Sequence, residues 1–244
     1  MTGYDSLNLI QAGLRKRNTC KKAINILACL AITVLGITAT IYKVRYEGGF
    51  LTCFREMTVC ATVLTSLTSA ALVILNLYEM KIGSEQTFTP LYYWRLSSAV
   101  TGMMVLLIVL IGYLPFFTDH PVIGRYDMIN MHVIIPLLTI GSFVFNDSPV
   151  GKLSPKERLG GLNIITVYTV FILTLIITNI VPENKIPYSF LNIRHQPVWY
   201  ILLAFIVVYG GGYLLSWLFY RLNLKLSWIW YRNVARKTGS GKPA

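Results

Sequence analysis

The chain has 244 residues, of which 55% are hydrophobic and only 13% are charged, and its formal net charge is +12. This composition excludes an ordinary soluble domain, and uninterrupted apolar runs of about 20 residues indicate membrane-crossing helices rather than the strands of a barrel. The basic residues flank these runs without any DNA- or RNA-binding motif around them, so they indicate membrane topology and no nucleic-acid partner.

The apolar runs predict an all-α integral membrane bundle of six transmembrane helices. The spans cover residues 23–42, 50–77, 94–117, 127–146, 162–181 and 198–220. Residues 1–22 form a basic N-terminal segment, residues 23–220 the membrane domain, and residues 221–244 a basic tail. The first span lacks a small-residue cleavage site, so we expect it to be retained. The second run is longer than one crossing needs, and we expect its first turns at the interface or lining a cavity.

The distribution of basic residues predicts the orientation. Sixteen of the 22 Lys and Arg residues flank the spans on the side of both termini, and six lie on the opposite side. By the positive-inside rule both termini are cytoplasmic, which agrees with an even number of spans. We therefore expect a multi-pass protein of the cell membrane.

His132 is the only histidine within an apolar run. An ionisable residue in a membrane span is rare and points to a functional site, although a histidine can also bond neighbouring helices together. In the predicted topology His132 lies roughly 7 to 8 Å below the outer face, since a helix rises 1.5 Å per residue. Thr52, in the first turn of span two, lies at a similar depth on the same side. A threonine hydroxyl near a histidine forms a possible nucleophile and general base.

Three short motifs resemble those of one family. Residues 46–52, YEGGFLT, resemble the Y-G-G-x-x-x-F-L-T entry to a helix in the androgen-induced-gene family of membrane threonine hydrolases, with a shorter spacer. Residues 131–136 resemble its M-H-x-x-x-L-P segment, and residues 187–191, PYSFL, resemble its Y-P-F-L segment with the proline moved. The six-span plan also matches, from about residue 42 to 220, as it does in predicted bacterial relatives.

The resemblance implies an intramembrane hydrolase of lipid esters, in characterised relatives fatty acid esters of hydroxy fatty acids. Thr52 falls on the family's nucleophile and His132 on its essential histidine. No cofactor is implied, and the expected partners are membrane lipids and a lipid-like ester substrate.

Further residues are candidates for binding the substrate. Arg55 and Glu56 follow Thr52 by three and four positions, so a continuous helix would place them on its face, where they orient a substrate or screen one another. Asn130, Tyr188 and the loop that contains His195 are candidates for oxyanion contacts or substrate binding.

Other interpretations remain open. A metal site would use Asp119, His120, His132 and His195, although their spacing is unlike HExxH and two of these histidines lie in loops. The four cysteines lack CxxC spacing and predict neither a zinc ribbon nor a disulfide framework. A non-catalytic protein that binds lipid or a partner, or moves a small solute, is compatible with the apparent scarcity of paired charges within the spans.

Two groups of small residues predict close helix packing rather than chemistry. One is a stripe of hydroxyl side chains on span two, and the other is a glycine triplet in span six. They comprise Thr58, Thr62, Thr65 and Ser69, and Gly210, Gly211 and Gly212.

Overall fold

The computed structural model describes residues 3–83, 88–110, 125–148 and 153–237. Within these ranges the regular structure is helical, as the sequence predicts. The α-helices are α1 (Gly3–Glu47), α2 (Phe50–Phe54), α3 (Met57–Ile82), α4 (Thr89–Ile108), α5 (Tyr126–Ile129), α6 (Ile135–Asn146), α7 (Asn163–Ile177) and α8 (Val198–Lys237). A π-helical segment, Asn130–Ile134, joins α5 to α6, and 3-10 helices cover Glu157–Leu162, Glu183–Lys185 and Ser189–Leu191.

Six helical stretches in the described ranges are long and apolar enough to cross a membrane, which confirms the predicted number and order of spans. They are Thr19–Glu47, Met57–Ile82, Thr89–Ile108, Tyr126–Asn146, Glu157–Ile177 and Val198–Ile229. The predicted end of the third span at residue 117 lies outside the described residues. The described residues therefore form a helical bundle whose six long apolar helices suit a multi-pass membrane protein.

The first and last helices extend well beyond one crossing. Helix α1 has 45 residues and α8 has 40, which corresponds to about 67 Å and about 60 Å against a hydrocarbon core of about 30 Å. The predicted domain boundaries at residues 22 and 220 thus fall inside continuous helices. Because six spans alternate in direction, both termini leave the bundle at one end, which we name the terminal end. The far end carries residues 48–56 and 178–197.

Helices α1 and α3 pack closely through small and hydroxylated residues. A Cβ atom added to Gly36 would lie 1.9 Å from Ser66 Oγ, so only glycine permits this approach. The Thr33 hydroxyl donates to the Ser66 carbonyl at 3.3 Å. All four residues of the predicted hydroxyl stripe are buried, as expected for a packing surface.

The glycine triplet of α8 divides into two parts. A Cβ atom on Gly212 would lie 2.7 Å from Leu162 Cδ2, so Gly212 allows close packing as predicted. Gly210 and Gly211 have no such neighbour within 4 Å. The packing prediction therefore holds for Gly212 and is wrong for the other two, which face away from the helices described.

A buried ion pair joins the helices near the terminal end. The Arg95 side chain of α4 is 1% exposed, and its Nε atom donates to Asp147 Oδ2 at 2.9 Å. The guanidinium also donates to Ser69 Oγ on α3 at 3.1 Å and to Ser142 Oγ on α6. The second carboxylate oxygen of Asp147 accepts from Asn25 Nδ2 on α1 at 2.9 Å. One pair thus holds four spans.

Helix α8 is attached to the same network through an amide. The Asn223 side chain donates to the carbonyls of Phe143 and Asp147, each at 2.9 Å. Its Oδ1 atom accepts from the Tyr92 hydroxyl of α4 at 3.0 Å. These bonds satisfy carbonyls at the end of α6 that have no intrahelical donor.

The scarcity of paired charges expected from the sequence is wrong. Besides Arg95 and Asp147, Lys22 of α1 pairs with Glu79 of α3 at 2.9 Å. These charges lie far apart in sequence, and so the pattern of a single apolar run does not reveal them. They contact one another only after the helices have packed.

Removing one partner of the buried pair should destabilise the bundle strongly. Asp147→Ala leaves the Arg95 charge buried without a counter-ion, and the expected loss is about 3–5 kcal/mol of unfolding free energy. The measurement is chemical unfolding in detergent micelles. Replacing both residues, as Arg95→Met with Asp147→Leu, should recover part of that loss because neither charge remains.

The exposed Lys156→Ala variant is the control for removing a charge. It should unfold at the same denaturant concentration as the wild type. An Asp147→Ala protein as stable as the Lys156→Ala protein would contradict the role assigned to the pair.

Candidate active site

Thr52 lies at the far end in α2, a helix of only five residues. Helix α1 ends at Glu47, the following Gly48 has a φ of 74° that is readily adopted only by glycine, and α2 begins at Phe50. Threonines inside the long helices donate to the carbonyl four residues earlier, as Thr40 does to Gly36 at 2.7 Å. For Thr52 that position is Gly48 itself, before the helix begins. The half-buried Thr52 hydroxyl consequently has no hydrogen-bond partner among the described residues.

His132 lies in the π-helical segment between α5 and α6. Pro136 has no N–H and cannot donate to the His132 carbonyl, and the Ile135 N–H instead bonds the Asn130 carbonyl five residues back. Isolated π turns are frequent at functional sites. Here the chain widens at the histidine because the proline prevents an ordinary α-helix.

The tautomer of His132 follows from its hydrogen bond. Its Nδ1 atom lies 3.0 Å from the Met128 carbonyl oxygen, which can only accept. Nδ1 therefore carries the proton, and the neutral ring keeps the lone pair on Nε2. That nitrogen is the one suited to take a proton from a nucleophile.

One small buried cluster links the elements that carry Thr52 and His132. It contains Ala39 of α1, Cys53 of α2, Val59 of α3 and Met131 of the π segment. Thr52 is next to Cys53 in sequence, and His132 is next to Met131. Each predicted catalytic residue is therefore the sequence neighbour of a residue in one shared buried cluster at the far end.

The thiol beside Thr52 is not a competing nucleophile. Burial, assisted by the negative charge of Glu47, raises the pKa of Cys53 to about 11. The sulfur contacts the Lys43 carbonyl at 3.5 Å and Glu47 Oε2 at 3.7 Å. At neutral pH the thiol stays protonated, and a protonated thiol is a poor nucleophile.

The structure gives Arg55 and Glu56 partners other than each other. Helix α2 ends at Phe54, but Arg55 keeps αR backbone angles, and the chain becomes extended only at Glu56. Arg55 and Glu56 pair with other groups and do not screen one another. Glu56 pairs with Lys43 Nζ at 3.1 Å, and Lys43 also bonds Glu47.

Arg55 ties the break in span two to the loop above it. Its Nη1 atom donates to the Lys185 carbonyl at 2.9 Å, and its Nε donates to the Thr52 carbonyl at 3.3 Å. The Arg55 carbonyl accepts from the Tyr168 hydroxyl of α7 at 2.6 Å. Arg55 thus positions the backbone of Thr52 against residues 178–197.

Lys43 and Asp127 are charged residues at this site that sequence reasoning missed. The Lys43 side chain is 3% exposed, and Asp127 is fully buried, with both carboxylate oxygens bonded by Arg125. Both charges lie within electrostatic range of the His132 ring. The spacing of four residues between Lys43 and Glu47 could have predicted a charged pair here, but the same spacing is typical of exposed pairs on a helix surface.

Two predicted contact residues have other partners. The Asn130 amide donates to the Tyr126 carbonyl of its own helix at 2.7 Å. His195 is exposed, and its Nε2 lies 2.5 Å from Glu183 Oε1 in the same loop. Both hold local structure in this conformation.

Tyr188 lines an apolar cavity of about 110 Å³ beside the break. The cavity lies between α4, α7 and α8 and is covered by residues 188–191. Five aromatic rings contribute to its wall, those of Tyr168, Tyr188, Phe190, Phe205 and Tyr209. Its lining is that expected for a hydrocarbon group.

The metal interpretation is not tested by the geometry. No three His, Cys, Asp or Glu side chains come together as a metal-binding group within the described ranges. Asp119 and His120, two of the four residues proposed for it, lie outside the described residues.

Comparison with known proteins finds no relatives: no protein-family model matches the chain, and no curated protein or solved structure matches it. The chemistry of the far end is therefore argued from its own residues. It offers a hydroxyl with no partner among the described residues and a ring nitrogen with a lone pair. It also offers a buried cation in electrostatic range of that ring.

Glu56 should make stability depend on pH. Burial raises the pKa of Glu56 above its ordinary 4.5, with Lys43 opposing and Glu47 adding to the shift. A carboxyl whose folded pKa is raised binds more protons in the folded state, so stability falls as pH rises from the unfolded pKa through the folded one. Glu56→Gln removes this titration.

The measurement is the melting temperature of both proteins between about pH 4 and about pH 7. We expect the Glu56→Gln protein to gain on the wild type as pH rises. A constant difference across this range would show that Glu56 ionises as readily folded as unfolded, and a gain by the wild type would show that it ionises more readily when folded; either result would contradict the prediction.

Proposed function

We propose that this protein is an intramembrane lipid-ester hydrolase in which Thr52 is the nucleophile and His132 the general base. The observation that carries the proposal is the Thr52 hydroxyl, which has no partner among the described residues, next to a buried cluster that also contains the neighbour of a histidine with a fixed tautomer. The resemblance of residues 46–52, 131–136 and 187–191 to the androgen-induced-gene family supports the same assignment.

The reaction has two halves. His132 Nε2 accepts the proton of the Thr52 hydroxyl as Oγ1 attacks the ester carbonyl, and the alcohol leaves with that proton. Water then attacks the acyl-threonine, and His132 takes a proton from water and returns it to Thr52 Oγ1. The acid is released and the enzyme is restored.

The apolar cavity supplies a place for one hydrocarbon chain of the substrate. Met57, which lines the cavity, follows by two residues the Arg55 that contacts the Thr52 carbonyl. Tyr188 in its wall keeps the substrate-binding role predicted from the sequence. Of the other candidates, Arg55 holds the backbone carbonyl of Thr52, and Glu56 pairs with Lys43.

The site faces away from the cytoplasm in this proposal. The excess of Lys and Arg at the terminal end places both termini in the cytoplasm, so the far end faces outward. The protein then resides in the cell membrane, and substrates reach Thr52 from the outer leaflet.

Substitutions at the two catalytic positions test the mechanism. Thr52→Val should abolish acylation by an activity-based serine-hydrolase probe, because the nucleophilic oxygen is gone, whereas Thr52→Ser should retain it. His132→Ala should slow labelling by about 10²–10⁴-fold, the usual contribution of a general base. The control is Thr174→Val, since the Thr174 hydroxyl is exposed and bonds the Val170 carbonyl of its own helix. Undiminished labelling of the Thr52→Val protein would refute the mechanism.

A second candidate is lipid binding without chemistry, which the apolar cavity alone would support. Val208 lines the cavity, and the neighbouring Val207 is 63% exposed and does not. Val208→Trp should fill the cavity and lower crosslinking to a diazirine-bearing fatty acid several-fold, with Val207→Trp as the matched control. A hydrolase should also lose ester turnover in the Val208→Trp protein.

Ester turnover distinguishes the hydrolase from the lipid binder. A pure lipid binder would crosslink and show no ester hydrolysis above that of the Thr52→Val protein. Equal crosslinking by the Val208→Trp and Val207→Trp proteins would show that the fatty acid does not bind in this cavity, which would contradict its role in either candidate function.

A further inference from the structure

A second, smaller cavity lies in the bundle interior between α3, α4 and α6. Its volume is about 20 Å³, and its lining, although mostly apolar, includes five residues that carry hydroxyls, namely Thr58, Thr62, Thr65, Ser98 and Thr139. Met131, the neighbour of His132, and Pro136 also line it. The cavity therefore adjoins both hydroxyl-bearing residues and the π segment.

Thr139 faces this cavity with an unsatisfied hydroxyl. Its side chain is 1% exposed, and no described residue lies within hydrogen-bond reach of Thr139 Oγ1. Thr101 Oγ1 on α4 is likewise unpaired, whereas Ser98 Oγ donates to the Trp94 carbonyl at 2.9 Å. A polar group without a partner inside a membrane bundle is strongly unfavourable, so the cavity must provide one.

The size and chemistry of the cavity select its occupant. One water needs about 10–15 Å³ measured in this way, so a volume of about 20 Å³ accepts one water and excludes a lipid group. The lining contains no carboxylate to balance a cation. Hydroxyls that both donate and accept are suited to water.

We propose that this cavity is a buried-water site and that its water is the one consumed when the acyl-threonine is hydrolysed. This role depends on the proposed function, whereas the water site itself does not. Two lining residues connect the cavity to the candidate site. Thr58 is the second residue of α3, and Met131 directly precedes His132. The water oxygen bonds to the acyl carbon, the bond to Thr52 Oγ1 breaks, and the water proton passes through His132 to Oγ1.

Hydroxyl-radical footprinting of the whole protein in detergent tests the water site. Radicals formed from bound water oxidise adjacent side chains, so Met131 should be oxidised although it is only 2% exposed. Thr139→Val, which keeps the shape and removes the hydroxyl, should lower that oxidation several-fold, and Thr139→Ser should restore it. Met104, in the apolar cavity, is the internal control and should not change.

Equal Met131 oxidation in the wild-type and Thr139→Val proteins would overturn the site. A melting temperature raised by Thr139→Val would do the same, because removing an unpaired hydroxyl from a dry cavity stabilises a fold. An unchanged or lowered melting temperature agrees with a water-bonded hydroxyl.

The role of the water is tested with a chromogenic ester. Thr139→Val should leave the acylation burst intact and slow the steady-state rate several-fold, because only the second half of the reaction uses water. A normal burst with a normal steady state would overturn the role. No ester hydrolysis by the wild type above that of the Thr52→Val protein would refute the proposed function and the role with it, while footprinting would still decide the water site.

Discussion

The bundle depends on the buried contact between Arg95 and Asp147. A buried charged pair is stable only when every remaining donor and acceptor is bonded, and here Asn25, Ser69 and Ser142 complete the shell. Because these five side chains belong to four spans or their ends, the relative positions of the helices are constrained together. A rigid terminal end leaves the far end free to carry irregular backbone.

The far end interrupts its helices where the candidate residues lie. Gly48 ends α1, the extended backbone at Glu56 separates α2 from α3, and Pro136 turns the start of span four into a π segment. Non-helical backbone at membrane depth is tolerated where protein covers it or water reaches it. These interruptions keep the Thr52 hydroxyl from the usual bond to its own helix, and they occur beside His132, whose Nε2 carries the lone pair. The irregular backbone and the two candidate catalytic groups therefore lie in the same places.

The spans follow from sequence because hydropathy acts locally, and their number and order are confirmed. The pairing of Arg95 with Asp147 does not follow, because Arg95 stands beside an apolar run and reads as a topology signal until α6 packs against it. The partners of Arg55 and Glu56 do not follow either, because the Lys185 carbonyl and Lys43 approach them only after the helices and loop have packed. The pairing of Thr52 with His132 came from motif resemblance and stays a prediction, to which the structure adds packed neighbours and a tautomer.

Two cavities share one wall at Val105. The larger is lined by aromatic rings and lies toward α7 and α8, and the smaller includes hydroxyl-bearing residues and lies toward α6. An ester hydrolase in a membrane must bring a hydrocarbon chain and a water to the same carbonyl, and water among aromatic rings would lose its hydrogen bonds. Val105 on α4, which is 6% exposed, lies between the two cavities and in the proposed function would keep the chain and the water apart. Both cavities reach the start of α3, at Met57 and Thr58, which is the point where the chain leaves the break that follows Thr52.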